Sequence, residues 1–214
     1  MKKLLTAILS LLSIGTAKST PSDTETADPM LEDIRHYARQ EVAAGFSTEE
    51  EIVQNTIDIL SDDYDEKKLR EAVSKEVKQA ISDHKAEQAN WPKVTDTDRL
   101  DLAFQQLEEL GIVCRQNFSC CGTCGSGEIW DEIEAQEKKK KVRGYIFYHM
   151  QDTESAVEGG GLYLNYGSTE EGEEPALSVA RTVVETIEKN GLKTNWDGTW
   201  GMRIGVTLDW KKRR

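Results

Sequence analysis

A chain of 214 residues is long enough for one domain, or for one domain with a smaller helical companion. Hydrophobic residues at 37% and charged residues at 31% leave material for a real core and exclude wholesale disorder. The formal net charge of −12 gives a surface that repels phosphate backbones, so a nucleic-acid partner is not expected.

The N-terminus reads as a secretory signal: Lys2-Lys3, an apolar run from Leu4 to Ile14, and small residues Gly15-Thr16-Ala17 for cleavage. The run is shorter than the roughly 20 apolar residues a membrane span needs, and no cysteine follows it for lipidation. A first helix of the fold is the alternative, because Thr6, Ser10 and Ser13 form a polar stripe. With residues 1–17 cleaved, the protein is exported, periplasmic or secreted; otherwise it is cytoplasmic. Residues 18–29, rich in Ser, Thr, Pro and acids, read as a linker.

Residues 30–92 read as a helical annex. Leu31, Ile34, Tyr37, Ala38 and Val42 recur at helical spacing with Gly45 as a stop. Ser47 with Glu50 matches a capping box for a helix burying Ile52, Val53, Ile57 and Leu60. Leu69, Val73, Val77 and Ile81 trace a third helix ending near Trp91-Pro92. His36 and His84 fall on these helices without partners in register and read as surface histidines.

Residues 93–214 read as an α+β (or α/β) domain with a mixed sheet of about four to five strands and flanking helices. A helix capped within Thr95 to Asp98 carries Leu100, Ala103, Phe104, Leu107 and Leu110, and Gly111 closes it. Ile112 to Phe118 reads as a strand, Gly127 to Lys140 as a helix, and Gly144 to Met150 as a second strand. Gly159-Gly160-Gly161 bends the chain into a strand from Leu162 to Tyr166. Pro175 opens a helix that Gly191 closes, and strands near Leu192 to Trp196 and Met202 to Trp210 flank Asp197-Gly198. The basic runs Lys138 to Lys141 and Lys211 to Arg214 read as solvated, the first at a helix C-terminus where cations suit the dipole. Trp196, Trp200 and Trp210 fit a ligand groove or, more simply, strand packing.

Three of the four cysteines fall within Cys120-Cys121-Gly122-Thr123-Cys124, the densest concentration of reactive side chains in the chain. A strand, loop, helix and strand over Ile112 to Met150 have the length of a crossover unit, which makes the two strands parallel. Both carboxyl ends then share one sheet edge, and Cys120, Cys121 and Cys124 come beside His149 and Asp152 at a helix N-terminus that favours a thiolate. An antiparallel pair would separate them. Asp152 or Thr153 also suits a helix N-cap.

Three chemistries suit the loop. Cys121-x-x-Cys124 before a helix is a redox arrangement, with Cys121 or Cys124 attacking, the other resolving, and His149 as an accessory catalytic group. The later strands carry no proline, so a thioredoxin fold is not expected. Cys121-x-x-Cys124-Gly125 is also half a zinc knuckle, for which Cys120, Cys121, Cys124 and His149 are the candidate ligands and zinc the candidate ion. Alternatively, the four cysteines only staple a non-enzymatic binding or interaction domain through disulfides.

From Arg115 through Cys120-Cys121-Gly122-Thr123-Cys124-Gly125, the chain resembles the bacterial domain-of-unknown-function family DUF6891. The likeness continues through Glu128 to Glu132, Gly144-Tyr145-Ile146-Phe147-Tyr148-His149, Gln151-Asp152-Thr153 and Glu158 to Leu164, and spans Leu31 to Trp210. The resemblance implies one folded unit pairing the cysteine loop with the later strand, and it implies no activity.

Overall fold

The structure is a computed structural model that describes residues 28–214. The signal-like start and most of the linker lie outside the described residues. The described elements, in chain order, are α1 (Pro29–Ala44), α2 (Glu49–Leu60), α3 (Glu66–Gln88), α4 (Asp96–Glu109), β1 (Ile112–Arg115), α5 (Gly122–Glu137) and β2 (Gly144–Phe147). They continue with α6 (Met150–Val157), β3 (Leu162–Ser168), α7 (Glu173–Lys189), β4 (Lys193–Asn195) and β5 (Ile204–Thr207). The strands form one mixed sheet in the order β1-β2-β3-β5-β4, as an α+β reading requires.

β1 and β2 are parallel, with Ile112 opposite Gly144 and Arg115 opposite Phe147, and the remaining pairs are antiparallel. Side-chain alternation divides the sheet into two faces. Ile112, Cys114, Ile146, Tyr148, Leu162, Leu164, Ile204 and Val206 pack with α4 and α7 in the main core. On the other face α5 covers β1 and β2 through Val113, Ile129, Ile133, Val142 and Phe147. α1, α2 and α3 bury a cluster of their own, including Ile34, Val42, Ile52, Leu69 and Val77.

Local chemistry sets most of the ends. Asp28 accepts from the Met30 amide at the start of α1, and Gly45 ends that helix in the left-handed region at φ +81°. The box opening α2 is Thr48 with Glu51, one residue beyond the expected Ser47 and Glu50. Ser47-Thr48-Glu49-Glu50-Glu51 satisfies the spacing twice, and Ser47 instead donates to Glu41. α7 begins at Glu173, so Pro175 lies inside its first turn rather than at its first position.

Two expectations of exposure are corrected. His84 is buried: its Nε2 donates to the Lys212 carbonyl at 3.0 Å and its ring meets Trp91 edge-on. The run Lys211 to Arg214 is not free in solvent but straps the three-helix cluster to the sheet domain. Trp210 Nε1 donates to the Ala43 carbonyl at 3.0 Å, and Thr97 donates to the Lys211 carbonyl at 2.5 Å. The Lys212 stem lies against Gly45 while its ammonium reaches Asp101 at 3.2 Å and sits over the Phe46 ring. Arg213 pairs with Asp98, and Arg214 donates to the Val42 carbonyl at 3.1 Å. Trp210 therefore packs, with Phe46 and Tyr148 at ring separations of 6.3 Å each, rather than lining a groove. Trp200 is exposed.

Trp210→Ala removes the half-buried indole and its hydrogen bond, and should lower the unfolding free energy by roughly 2 kcal/mol, read by chemical denaturation.

Candidate functional site

The site is built where β1 and β2 end. Past Arg115 the chain leaves the ladder yet stays alongside the segment after β2: Tyr148 N–H donates to the Arg115 carbonyl, Phe118 N–H to Tyr148, and Met150 N–H to Ser119. The Tyr148 hydroxyl donates to Gln116 at 2.7 Å, and the Thr153 hydroxyl to Asn117 at 2.7 Å. Asn117 and Ser119 are held at φ 50° and 64°, a conformation that costs a residue such as serine roughly 1–2 kcal/mol. The lacing between the two loops offsets that cost and delivers Cys120 and Cys121 to the start of α5.

α5 begins at Gly122, five residues before the expected Gly127. Gly122, Gly125 and Gly127 argue locally against a helix. Packing overrides them, because a Cβ at Gly125 would stand 2.5 Å from the Phe147 ring. Only a bare backbone lets the helix rest there. At the other end Arg115 holds α5 to the sheet by pairing with Glu132 at 2.6 Å while also meeting Glu108 at 2.9 Å.

Cys121 is the N-cap residue of α5 and Cys124 lies in its first turn. The Sγ atoms of Cys120, Cys121 and Cys124 all lie within 4.8 Å of one another, close enough to hold a metal ion. Cys120 and Cys124 are exposed, and none of the four cysteines is bridged. Cys114 is elsewhere, buried in the main core with its thiol donating to the Ile112 carbonyl. A staple using all four would have to pull Cys114 out of that core.

The thiols differ in acidity. The Cys121 sulfur makes no capping bond of regular geometry, but the Cys124 amide foremost, then the neighbouring thiols and the Thr123 amide, hold it below the usual thiol range. Cys124 is pushed up to about 11, because it hydrogen-bonds first to Cys120 and then to Cys121 and would ionise against their charge. Burial drives Cys114 well above the ordinary value.

His149 is not a strand residue, as the Gly144 to Met150 strand would have it, but the N-cap of α6. Its backbone N–H donates to Asp152 Oδ2 at 3.1 Å and its Nδ1 accepts from the Asp152 amide at 3.3 Å. The cap expected at Asp152 or Thr153 therefore falls earlier, at His149, with Asp152 as its reciprocal partner. His149 and Asp152 are only 7% and 4% exposed. The His149 edge bearing Cδ2 and Nε2 lies 3.5 Å from where a Cβ on Gly122 would stand, so the ring faces the first turn of α5. It stays outside the group of three sulfurs. Burial lowers its pKa, Asp152 opposes that and Arg203 adds to it, leaving a neutral imidazole at neutral pH.

Two further residues converge here that the sequence did not single out. Arg203, just before β5, donates through Nη2 to Asp152 Oδ2 at 2.5 Å and to the Tyr163 carbonyl. Asn165 on β3 brings its Oδ1 within 3.8 Å of the Cβ position of Gly122. A polar residue in the otherwise apolar and aromatic run Leu162 to Tyr166 was the available signal for Asn165. Nothing local marked Arg203, which arrives from a distant part of the chain.

The family model for the domain of unknown function DUF6891 matches residues 27–214. The chain belongs to that family. Comparison with curated proteins and with solved structures finds no match. Among the described residues no helix is long and apolar enough to cross a membrane.

Gly125→Ala forces a methyl into Phe147 and should destabilise the protein by roughly 1–3 kcal/mol in denaturant titration, with Phe147→Leu in the same chain recovering part of the loss. With Cys121 held down and Cys124 up, lowering pH toward neutrality spares the Cys121 thiolate longest of the two. Brief iodoacetamide treatment at pH 7 should therefore modify Cys121 ahead of Cys124 in peptide mass mapping.

Proposed function

We propose that the first turn of α5 is a thiol–disulfide exchange site, with Cys121 as the attacking thiolate and Cys124 as the resolving thiol. The observation carrying this reading is the convergence of unbridged, solvent-accessible sulfurs within 4.8 Å at a helix N-terminus. Helical residues three apart have Cα atoms about 5 Å apart, inside the window of roughly 4.4–6.8 Å that a disulfide accepts. Adjacent residues, at about 3.8 Å, fall outside it, which favours Cys121–Cys124 over Cys120–Cys121.

In the first step the Cys121 thiolate attacks one sulfur of a substrate disulfide, forming a mixed disulfide and releasing a thiolate. That thiolate takes the proton of Cys124. The Cys124 sulfur then attacks Cys121, the mixed disulfide breaks, and the second substrate thiolate leaves. The substrate disulfide is reduced and the protein dithiol becomes a disulfide. The neutral His149 ring supplies a polar wall to the turn.

A second reading rests on Cys120. Three thiolates suit a soft ion such as zinc, for which tetrahedral bonds of about 2.3 Å require sulfurs roughly 3.8 Å apart, so the group would contract slightly on binding. Structural zinc takes four protein ligands. Among the described residues the close group offers three, which leaves one coordination position for a ligand from solution.

Reduced wild-type protein should consume a small disulfide and gain one intramolecular bridge. Cys121→Ser should abolish consumption, whereas Cys124→Ser should stop at a mixed disulfide visible by intact mass. If Cys121→Ser exchanges as well as wild type, the reading fails. If instead the reduced protein carries one zinc per chain and is inert until the ion is chelated, the metal reading replaces it. Serine at both positions that only lowers Tm would leave the cysteines as staples of a non-enzymatic domain.

A further inference from the structure

Among the described residues three buried side-chain polar atoms have no hydrogen-bond partner: Gln88 Nε2, Asn165 Nδ2 and Arg203 Nε. Gln88 lies at the end of α3, away from the cysteines. The other two are neighbours. β3 and β5 are antiparallel with Leu164 opposite Ile204, so the next step along the ladder sets Asn165 opposite Arg203 on the same face. That face carries α5 over β1 and β2, and Asn165 abuts Gly122 in the first turn of that helix, next to Cys121. A buried donor left unpaired is a net cost to a fold, and such atoms ask for a ligand that completes them. Here two unpaired N–H groups come from residues distant in sequence, and one of those residues abuts the helix turn that follows a reactive thiol.

Charge decides what they hold. Arg203 already pairs with the Asp152 carboxylate through Nη2 and Asp152 is buried, so the guanidinium charge is committed. The Cys121 thiolate next door and the formal net charge of −12 repel a further anion. A neutral oxygen acceptor meets neither objection. Both donor atoms are buried, and the side chain near them that meets solvent is Tyr163, on the same face, 45% exposed with the Arg203 guanidinium over its ring at 5.7 Å.

We propose that Asn165 and Arg203 form a subsite for a peptide carbonyl oxygen, which selects cysteinyl-peptide disulfides as substrates of the exchange site. A cysteine carbonyl carbon stands three bonds from its own sulfur, so a peptide disulfide attacked by Cys121 carries an acceptor into this neighbourhood. The proposal rests on the exchange reading. Asn165 and Arg203 are positioning residues in it: they hold the substrate's backbone and take no part in bond making.

The test compares two neutral disulfides, that of N-acetylcysteine methylamide, which carries peptide carbonyls, and hydroxyethyl disulfide, which carries none. Each rate is divided by the same probe's rate with dithiothreitol. Wild type should favour the peptide probe by roughly tenfold, and Asn165→Leu and Arg203→Lys should each lose about three- to tenfold on that probe alone. Arg203→Lys keeps a cation beside Asp152 and loses Nε–H. Asn165→Leu removes an unpaired donor, so its Tm should not fall, which keeps the test usable if Arg203→Lys folds poorly. Equal normalised rates for both probes in wild type and Asn165→Leu would overturn the subsite and leave the exchange reading standing. Reaction with neither probe would overturn both. Preference for the disulfide of N-acetylcysteine, with its free carboxylates, over the methylamide would replace the carbonyl by an anion and overturn the proposal as stated.

Discussion

The parallel pairing of β1 with β2 is the constraint on which the rest of the site depends. Parallel neighbours cannot be joined by a hairpin, so the chain must cross over through α5, and both strands then point their carboxyl ends the same way. The crossover can close only because the α5 backbone rests on the Phe147 ring at Gly125. Once it does, two loops distant in sequence lie side by side and lace together through Phe118, Tyr148, Ser119 and Met150. One loop brings three sulfurs, the other an imidazole and a buried carboxylate. Neither holds a site alone.

The electrostatics are those of a strongly acidic molecule that still keeps one thiol readily ionised. Among the described residues no lysine or arginine sets the acidity of Cys121 or Cys124. The work falls to the Cys124 amide foremost, then to the neighbouring thiols and the Thr123 amide, which act at short range and leave the surrounding charge unchanged. The Arg203 guanidinium is bound to Asp152, and burial foremost lowers the proton affinity of His149, with Asp152 opposing and Arg203 adding to that effect. The site is thus polar but nearly neutral apart from its thiols.

Much of this was legible from residue spacing, because the signals were local. Helical stripes, the glycine stops at Gly45, Gly111 and Gly191, and the length of the crossover unit each depend on few neighbours, and together they place the cysteines beside His149. What escaped depends on contacts between distant segments. Gly125 looks like a loop residue until Phe147 is seen against it, and Gly122 until His149 and Asn165 are. His149 continues an aromatic run that suggests a strand, and only the reciprocal bonds with Asp152 make it a cap. His84 seems partnerless because its acceptor lies 128 residues away, and Asn165 and Arg203 are brought to the same end of the β3–β5 pairing only once that ladder has formed.

The strap from Trp210 to Arg214 has a temporal meaning as well. α1, α2 and α3 make their mutual contacts from nearby sequence and can collapse as soon as they are synthesised, since short loops close at low entropic cost. Their attachment to the sheet domain is another matter. The backbone carbonyls of Ala43 and Val42, the His84 ring and the Asp98 and Asp101 carboxylates all wait for partners made more than a hundred residues later. A growing chain therefore carries a helical cluster with an unfinished face, which α6 meets first and the strap completes.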